Sequence, residues 1–244
     1  MVEADGTGSF AIEVRGLTKT YGPQVVIRDL DLELPWGDFL IVFGPNGSGK
    51  TTLIKVLATI TRPTQGEVSV GGFDLKKNPS AVRRNIGLVT HQPLLYADLT
   101  GRENLRFHGK MFGLTNLEER IQEASELMGV TSYLGRKVSI LSHGMQKRLS
   151  LARAILHDPP ILLLDEPETG LDQEGLEMLG QMMGVGQRGR RTVLMATHSL
   201  ERGLALGNRV AILAGGKIAY HEERGLIDEA IFKSTYGRFT GVTS

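Results

Sequence analysis

The sequence predicts an α/β fold, a mainly parallel sheet interrupted by a helical insert that occupies roughly the middle quarter of the chain. Three observations predict it. Apolar runs of strand length (Phe39 to Phe43, Ile86 to Thr90, Ile161 to Leu164, Thr192 to Thr197) alternate with stretches of helical spacing. A glycine-rich loop joins the first of those runs to the helix after it. From about Thr100 to His157 the pattern is helical throughout.

The loop is Gly44-Pro45-Asn46-Gly47-Ser48-Gly49-Lys50-Thr51. It fits the phosphate-loop pattern of a glycine, four free positions, then Gly-Lys-Ser/Thr. Glycines let the backbone turn tightly and bring several N–H groups onto one phosphate. Lys50 reaches the outer phosphates as a point charge, and the Thr51 hydroxyl is placed to ligate Mg²⁺. The helix expected over Lys50 to Ile60 carries Leu53, Val56, Leu57 and Ile60 on one face, with Pro63 stopping it. An anion in the loop therefore meets a helix N-terminus, where the dipole favours it.

Taken in order, Ile12 to Leu17 alternates weakly and predicts a first strand. Val25 to Leu34 predicts a second, and Pro35-Trp36-Gly37-Asp38 turns the chain into the strand before the loop. Gly66 to Gly72 is a short strand bounded by turns, and Ile86 to Thr90 ends at His91-Gln92-Pro93. Thr115 with Glu118 and Asn116 with Glu119 are overlapping capping pairs before Leu117, Ile121, Ala124, Leu127 and Met128, and Gly129 closes that helix. A second helix starts near Ser142 and ends at Asp158-Pro159-Pro160. After Ile161 to Leu164 come helical stretches at Gln173 to Met183 and Leu200 to Leu206, flanking the strand Thr192 to Thr197. Arg209 to Leu213 and Lys217 to Tyr220 predict a terminal hairpin, and Ile227 to Tyr236 a last helix.

Bulk properties bound the function. The chain has 244 residues, 41% hydrophobic and 23% charged, with ample material for a core. A formal net charge of +1 argues against a duplex nucleic acid as partner. With no cysteine, thiolate nucleophiles and cysteine-ligated zinc are excluded, and the composition fits a reducing cytosol. Residues 1–9 form an acidic, glycine-rich tail without the features of a signal peptide, and no apolar run is long enough to span a bilayer, so a membrane role has to come through a partner.

The run Ile161 to Leu164 delivers Asp165 and Glu166 to a strand end, where α/β folds place ligand chemistry. An aspartate there can hold Mg²⁺, and the adjacent glutamate can polarise an attacking water. Here the sequence resembles the ATP-binding cassette (ABC) ATPases of membrane transporters over almost its whole length. Tyr21 sits where that family stacks an aromatic on adenine. Gln92 matches its glutamine loop, Leu141-Ser142-His143-Gly144-Met145 its signature, and Asp165 and Glu166 the Walker B aspartate and catalytic glutamate. Gly170-Leu171-Asp172 matches the loop that crosses the dimer interface, and His198 the switch histidine.

The resemblance implies the ABC ATPase fold, a P-loop NTPase core of mainly parallel sheet with an N-terminal antiparallel β part and a helical insert. Residues 10–244 are then one domain, with the nucleotide-binding core at 10–92 and 158–220, the helical subdomain at 93–157, and a C-terminal helix and tail at 221–244. It carries nucleotide contacts to Tyr21, Gly44, Asn46, Gly47, Ser48, Gly49, Lys50, Thr51 and Thr52. Mg²⁺, bound with ATP, falls to Thr51, Gln92 and Asp165, and hydrolysis to Glu166, His198 and Gln92. Ser142 and Gly144 would close the ATP of a second ATPase subunit, with Asp172 in the dimer loop. The implied partners are that second subunit, in a homodimer, and an integral membrane permease. Its helix would dock near Leu94, Leu95, Tyr96 and Leu99, residues equally suited to the subdomain core. The chain would then sit peripherally on the cytoplasmic face of the membrane.

The signature departs from the family's commonest form, Leu-Ser-Gly-Gly-Gln, at His143 and Met145. The form Ser-X-Gly-Met followed by Gln146-Lys147-Arg148 resembles a branch of exporter ATPases. Thr90-His91-Gln92, Leu200 to Leu204 and Ala211 to Lys217 resemble the ATP-binding subunit of the bacterial haem exporter of cytochrome c maturation; drug, lipid or polysaccharide export are the alternative cargoes. Among soluble ABC ATPases, those acting on DNA carry long coiled-coil arms, for which the stretch from Gln92 to Ser142 has no room. Translation-associated ones carry two cassettes, and this sequence holds one. Lys50, Asp165, Glu166 and His198 together argue against a non-hydrolysing regulatory subunit.

Overall fold

Three strands of this chain, around Phe39–Phe43, Ile161–Leu164 and Val193–Ala196, carry four or five consecutive buried or nearly buried apolar residues, because both faces of their sheet are covered. In a computed structural model, which describes residues 9–186, 189–223, 225 and 229–240, the described residues form twelve β-strands and eight α-helices, besides two short 3-10 turns. They are β1 (Phe10–Tyr21), β2 (Gln24–Pro35), β3 (Phe39–Phe43), α1 (Lys50–Leu57), β4 (Gln65–Val70), β5 (Phe73–Asp74), α2 (Pro79–Asn85), β6 (Ile86–Val89), α3 (Gly101–Met111), α4 (Leu117–Leu127) and α5 (His143–Ile155). Then follow β7 (Ile161–Asp165), α6 (Gln173–Gly184), β8 (Val185–Gly186), β9 (Gly189–Arg190), β10 (Thr192–Thr197), α7 (Leu200–Leu206), β11 (Arg209–Ala214), β12 (Lys217–Glu223) and α8 (Glu229–Thr240).

A six-stranded sheet has the order β12-β11-β3-β10-β7-β6, parallel except for the edge strand β12. A four-stranded antiparallel sheet, β2-β1-β4-β5, covers one side of it, and β8 and β9 pair as a small ribbon. Alternation along the parallel strands divides the core in two. Leu40, Val42, Leu163, Leu194 and Leu213 join α1 and the antiparallel sheet in one cluster. Ile41, Phe43, Leu164, Met195 and Ile212 join α4, α5, α6 and α8 in the other. The C-terminal helix closes this second layer: Phe232 is 1% exposed, and its ring centroid lies 5.4 Å from that of Phe43.

The expected architecture is present, with local departures. The first helix ends at Leu57 rather than Ile60, because Thr59 takes a left-handed backbone (φ 61°) and turns Ile60 outward, 53% exposed. Neither capping pair before α4 forms a reciprocal box. Asn116 is the N-cap without a side-chain bond to the backbone, and only its side-chain amide meets Glu119, at 3.4 Å. The box sits instead on α3, a helix the sequence reading did not single out. There the Thr100 N–H donates to Glu103 Oε2 at 2.7 Å and the Glu103 N–H to Thr100 Oγ1 at 3.2 Å. Such a cap stabilises a helix by about 1 kcal/mol. The second strand of the terminal hairpin continues to Glu223. Of the last helix, residues 227 and 228 lie outside the described ones, as do 1–8 of the tail.

Candidate active site

The carboxyl ends of three neighbouring parallel strands meet level with one another. Thr197 of β10 is opposite Phe43 of β3, and Ala196 is opposite Asp165 of β7. Whatever follows Phe43, Asp165 and Thr197 in sequence is thus gathered at one edge of the sheet, where open α/β sheets bind ligands.

The loop after Phe43 wraps a cavity of about 150 Å³ lined by Val26, residues 46–52 and Glu166. Two glycines are sterically required. A Cβ on Gly44 would stand 2.4 Å from the Leu213 carbonyl oxygen and 2.6 Å from Ser48 Oγ. Gly49, which caps α1, has φ 111°, a conformation other residues avoid. Lys50 is buried, and its ammonium donates to the carbonyl oxygens of Gly44 at 2.6 Å and Pro45 at 3.1 Å. Burial lowers its pKa, against the opposing charges of Glu166 and Asp165. Ser48 Oγ is buried with no partner. A buried, unpaired hydroxyl and a desolvated cation facing one small cradle are the groups a phosphate would satisfy.

Asp165 is buried, which raises its pKa. The Thr51 side chain, hydrogen-bonded to the carboxylate, pulls the other way. Among the described residues no three His, Asp or Glu side chains stand together as a metal-binding group. The Thr51–Asp165 oxygen pair is nevertheless the donor chemistry Mg²⁺ takes when phosphates and water complete its shell. Glu166 follows with a left-handed backbone (φ 48°), and its N–H donates to the Ala196 carbonyl at 2.9 Å. That turn aims the carboxylate at His198, whose Nδ1 lies 3.0 Å from Glu166 Oε1. Glu166 is one of five non-glycine residues with positive φ among the described residues, a conformation kept only where the surroundings fix it. Thr197 Oγ1 donates to the buried Glu168 and accepts from the Ser199 N–H at 3.0 Å, which stiffens the chain on either side of His198. Nothing in the spacing singled out Glu168; it becomes visible only because β7 and β10 are neighbours.

The remaining predicted residues do not line the cradle. Tyr21 is 46% exposed, with Lys19 Nζ 4.7 Å from its ring centroid, so a base can stack only on the other face. Gln92 is exposed and lines a second cavity of about 500 Å³ with His91, His143, Lys147, Thr169 and Gly170. No hydrogen bond joins its side chain to Thr51 or Asp165 among the described residues. Ser142 is the N-cap of α5, its Oγ accepting from the Met145 N–H at 3.3 Å. Gly144 stands against the Gly170 carbonyl, 3.2 Å from where a Cβ would be. Met145 packs partly buried against the core, and His143 is exposed. Asp172 caps α6 through the Gly175 N–H (3.0 Å) and pairs with Arg148 Nη2 (2.5 Å). Those contacts, Arg148 foremost, hold its carboxyl below the usual range. Leu95 packs on the core, whereas Leu94 and Tyr96 are 43% and 57% exposed, Tyr96 edge-on to Phe107 at 5.2 Å.

Known proteins resemble this chain in sequence and in fold. A family model described as ABC transporter matches residues 27–169. The ABC transporter ATP-binding protein NatA of Bacillus subtilis is 35% identical over 211 residues, 85% of this chain and 84% of the relative. A Nod factor export ATP-binding protein I of Cupriavidus pinatubonensis is 34% identical over 223 residues (90% and 69%). The bacitracin transport ATP-binding protein BcrA of Bacillus licheniformis is 35% identical over 211 residues (86% and 69%). Among solved structures, a dimeric ATP-binding cassette in a post-hydrolysis state with ADP and Pi superposes with a TM-score of 0.80 at 27% identity, covering 87% of this chain and 98% of that one. An ATP-binding subunit of an ABC transporter superposes with 0.81 at 26% identity (93% and 94%).

Proposed function

The chain belongs to the ABC transporter family as an ATPase, and from that premise we propose that it powers an exporter as one of two identical ATP-binding subunits beneath a membrane permease. The observation that carries the reading is the meeting of Lys50, Asp165, Glu166 and His198 at one sheet edge behind a phosphate-shaped loop. The names of the relatives, export of Nod factor and transport of bacitracin, support an exporter. The narrower expectation of haem as cargo draws no support from them. Among the described residues no helix is long and apolar enough to cross a membrane, in keeping with attachment through a permease.

Lys50 gives up the neutral Gly44 and Pro45 carbonyls and takes anionic phosphate oxygens, a stronger pairing with charge on both sides. Thr51 and Asp165 would hold Mg²⁺, which when bound neutralises phosphate charge and polarises the γ-phosphoryl group. The Glu166 carboxylate accepts a hydrogen from the attacking water, and His198, donating from Nδ1, fixes its direction. Ser142 and Gly144, at the N-terminus of α5 and absent from the lining of their own chain's cradle, are offered to the phosphate of a second copy.

Because the site needs two copies, ATPase rate per molecule rises with protein concentration, and coexpression with its permease carries the chain to the membrane fraction. A constant specific rate across a wide dilution series, with a monomer throughout, would sink the shared site.

Ser142→Ala lowers saturated turnover by roughly tenfold or more, the loss of one charge-assisted bond of about 1.5–3 kcal/mol. The same change removes the cap of α5 and about 1 kcal/mol of stability, whereas Ser142→Gly costs only a few tenths there. Turnover falling in both variants, with melting temperature lowered mainly in the first, assigns the loss to the phosphate contact. Met145→Gln and His143→Gly each change turnover by less than about tenfold. A larger gain in either would mark a degenerate signature that serves beside a different ATPase subunit.

A further inference from the structure

Two residues beyond the end of the signature, Lys147 leaves the first turns of α5 and runs inward. It is 8% exposed, and its ammonium donates to the Glu166 carbonyl at 3.1 Å and to the Thr90 carbonyl at 3.5 Å. The peptide after Glu166 is therefore gripped by α5, while the Glu166 N–H is gripped from the other side by Ala196 of β10 at 2.9 Å. Between the two grips lies the left-handed backbone that turns the Glu166 carboxylate toward His198. A non-glycine residue persists in that conformation only where its surroundings over-determine it.

We propose that Lys147 is a positioning residue for hydrolysis: it pins the strained Glu166 turn to α5, so that the helix presenting Ser142 at its N-terminus also sets the aim of Glu166. The inference rests on Glu166 acting as the base. A lysine is a costly way to fill a buried space, and packing alone would be met by an apolar side chain of similar length. Burial lowers the pKa of this ammonium, and the charges of Glu168, Asp165 and Glu166 oppose the shift. Its reach also touches Thr90, the residue that leads into Gln92 and whose own hydroxyl donates to the Gln92 carbonyl at 2.6 Å. One cation thus fastens three segments, α5, the Glu166 turn and the start of the glutamine loop. It does so at the floor of the cavity of about 500 Å³ between Gln92, His143 and Gly170. Because Lys147 supports Glu166 and does not line the phosphate cradle, its removal changes turnover and spares binding.

The test compares wild type with Lys147→Met, Lys147→Arg, Glu166→Gln and the double variant Lys147→Met/Glu166→Gln in the full chain. Steady-state and single-turnover ATP hydrolysis are measured together with equilibrium binding of a fluorescent ATP analogue and thermal unfolding. Lys147→Met is expected to lower kcat by roughly tenfold or more while KM and the analogue's Kd stay within about threefold of wild type. Lys147→Arg, which keeps the donors and has the cavity to extend into, returns kcat to within about threefold. In the Glu166→Gln background the further loss on Lys147→Met is under about twofold, because the two residues act as a unit. If Lys147→Met does not fold, Lys147→Gln, polar but too short to reach the Glu166 carbonyl as the ammonium does, is read by the same criteria. A Lys147→Met enzyme of wild-type kcat, an equal loss in both backgrounds, or a loss shared by KM and Kd each overturns the inference while leaving Glu166 its role. Wild-type turnover in Glu166→Gln overturns that role and the inference together.

Discussion

Glu166→Gln binds ATP about as well as the wild type and hydrolyses it at least about 10²-fold more slowly, a barrier raised by roughly 2.7 kcal/mol. The substitution is nearly isosteric at a side chain that is only 25% exposed, and the amide oxygen can still accept from His198 Nδ1, now 3.0 Å from the carboxylate. What disappears is the negative charge that draws hydrogen from the attacking water. Fold, cradle and turn geometry all persist, so the loss falls on chemistry alone. With release blocked, the ATP-bound pair accumulates, and size-exclusion chromatography with ATP should show a dimer that the wild type shows only transiently. Binding is measured with a fluorescent ATP analogue and turnover by phosphate release. Near wild-type turnover in the variant would remove Glu166 from the reaction and leave His198 with nothing to orient.

The phosphate loop was legible because its chemistry is local. Gly44, Gly49 and Lys50 lie within seven residues, and each is required by an atom of that same loop or by one strand beside it. The strands were legible for a related reason: four or five consecutive apolar residues leave little choice but a sheet covered on both faces, as β3, β7 and β10 are. Sequence reading faltered where tertiary contacts arbitrate among equal local signals. Three Ser/Thr/Asn-x-x-Glu patterns lie between Thr100 and Glu119, and only Thr100–Glu103 closes into a box. The helix after the loop has an apolar Ile60 at helical spacing, yet Thr59 breaks the helix first and Ile60 is left outside. In the site, Asp165, Glu166 and His198 were found through order along the chain. Glu168 and Lys147 were not, because their partners, Thr197 and the Glu166 carbonyl, are 29 and 19 residues distant and meet them only once the sheet has formed.

Lys50→Ala weakens ATP binding itself, by about 10²-fold. In the structure the ammonium bridges the Gly44 and Pro45 carbonyls across the mouth of the cradle and faces Asp165 and Glu166. Among the described residues, alanine removes the only cation lining that cavity of about 150 Å³, whose other ionisable wall residue is Glu166. ATP then loses charge-assisted bonds of about 1.5–3 kcal/mol each, and two of them account for a hundredfold or more in Kd. Ligand-induced stabilisation gives an independent reading. With ATP at one hundred times the wild-type Kd, the wild type gains about 2.7 kcal/mol, and a variant binding a hundredfold more weakly gains about 0.4 kcal/mol. Thermal unfolding with and without nucleotide distinguishes the two directly. Glu166→Gln, treated identically, keeps the full shift, which separates the residue that holds the phosphates from the one that acts on water. Lys50→Arg should not rescue binding, because a planar guanidinium is bulkier than the ammonium the loop encloses. An Ala variant that still binds ATP within about threefold of wild type would mean that the loop's N–H groups carry the affinity and Lys50 only closes the empty cradle.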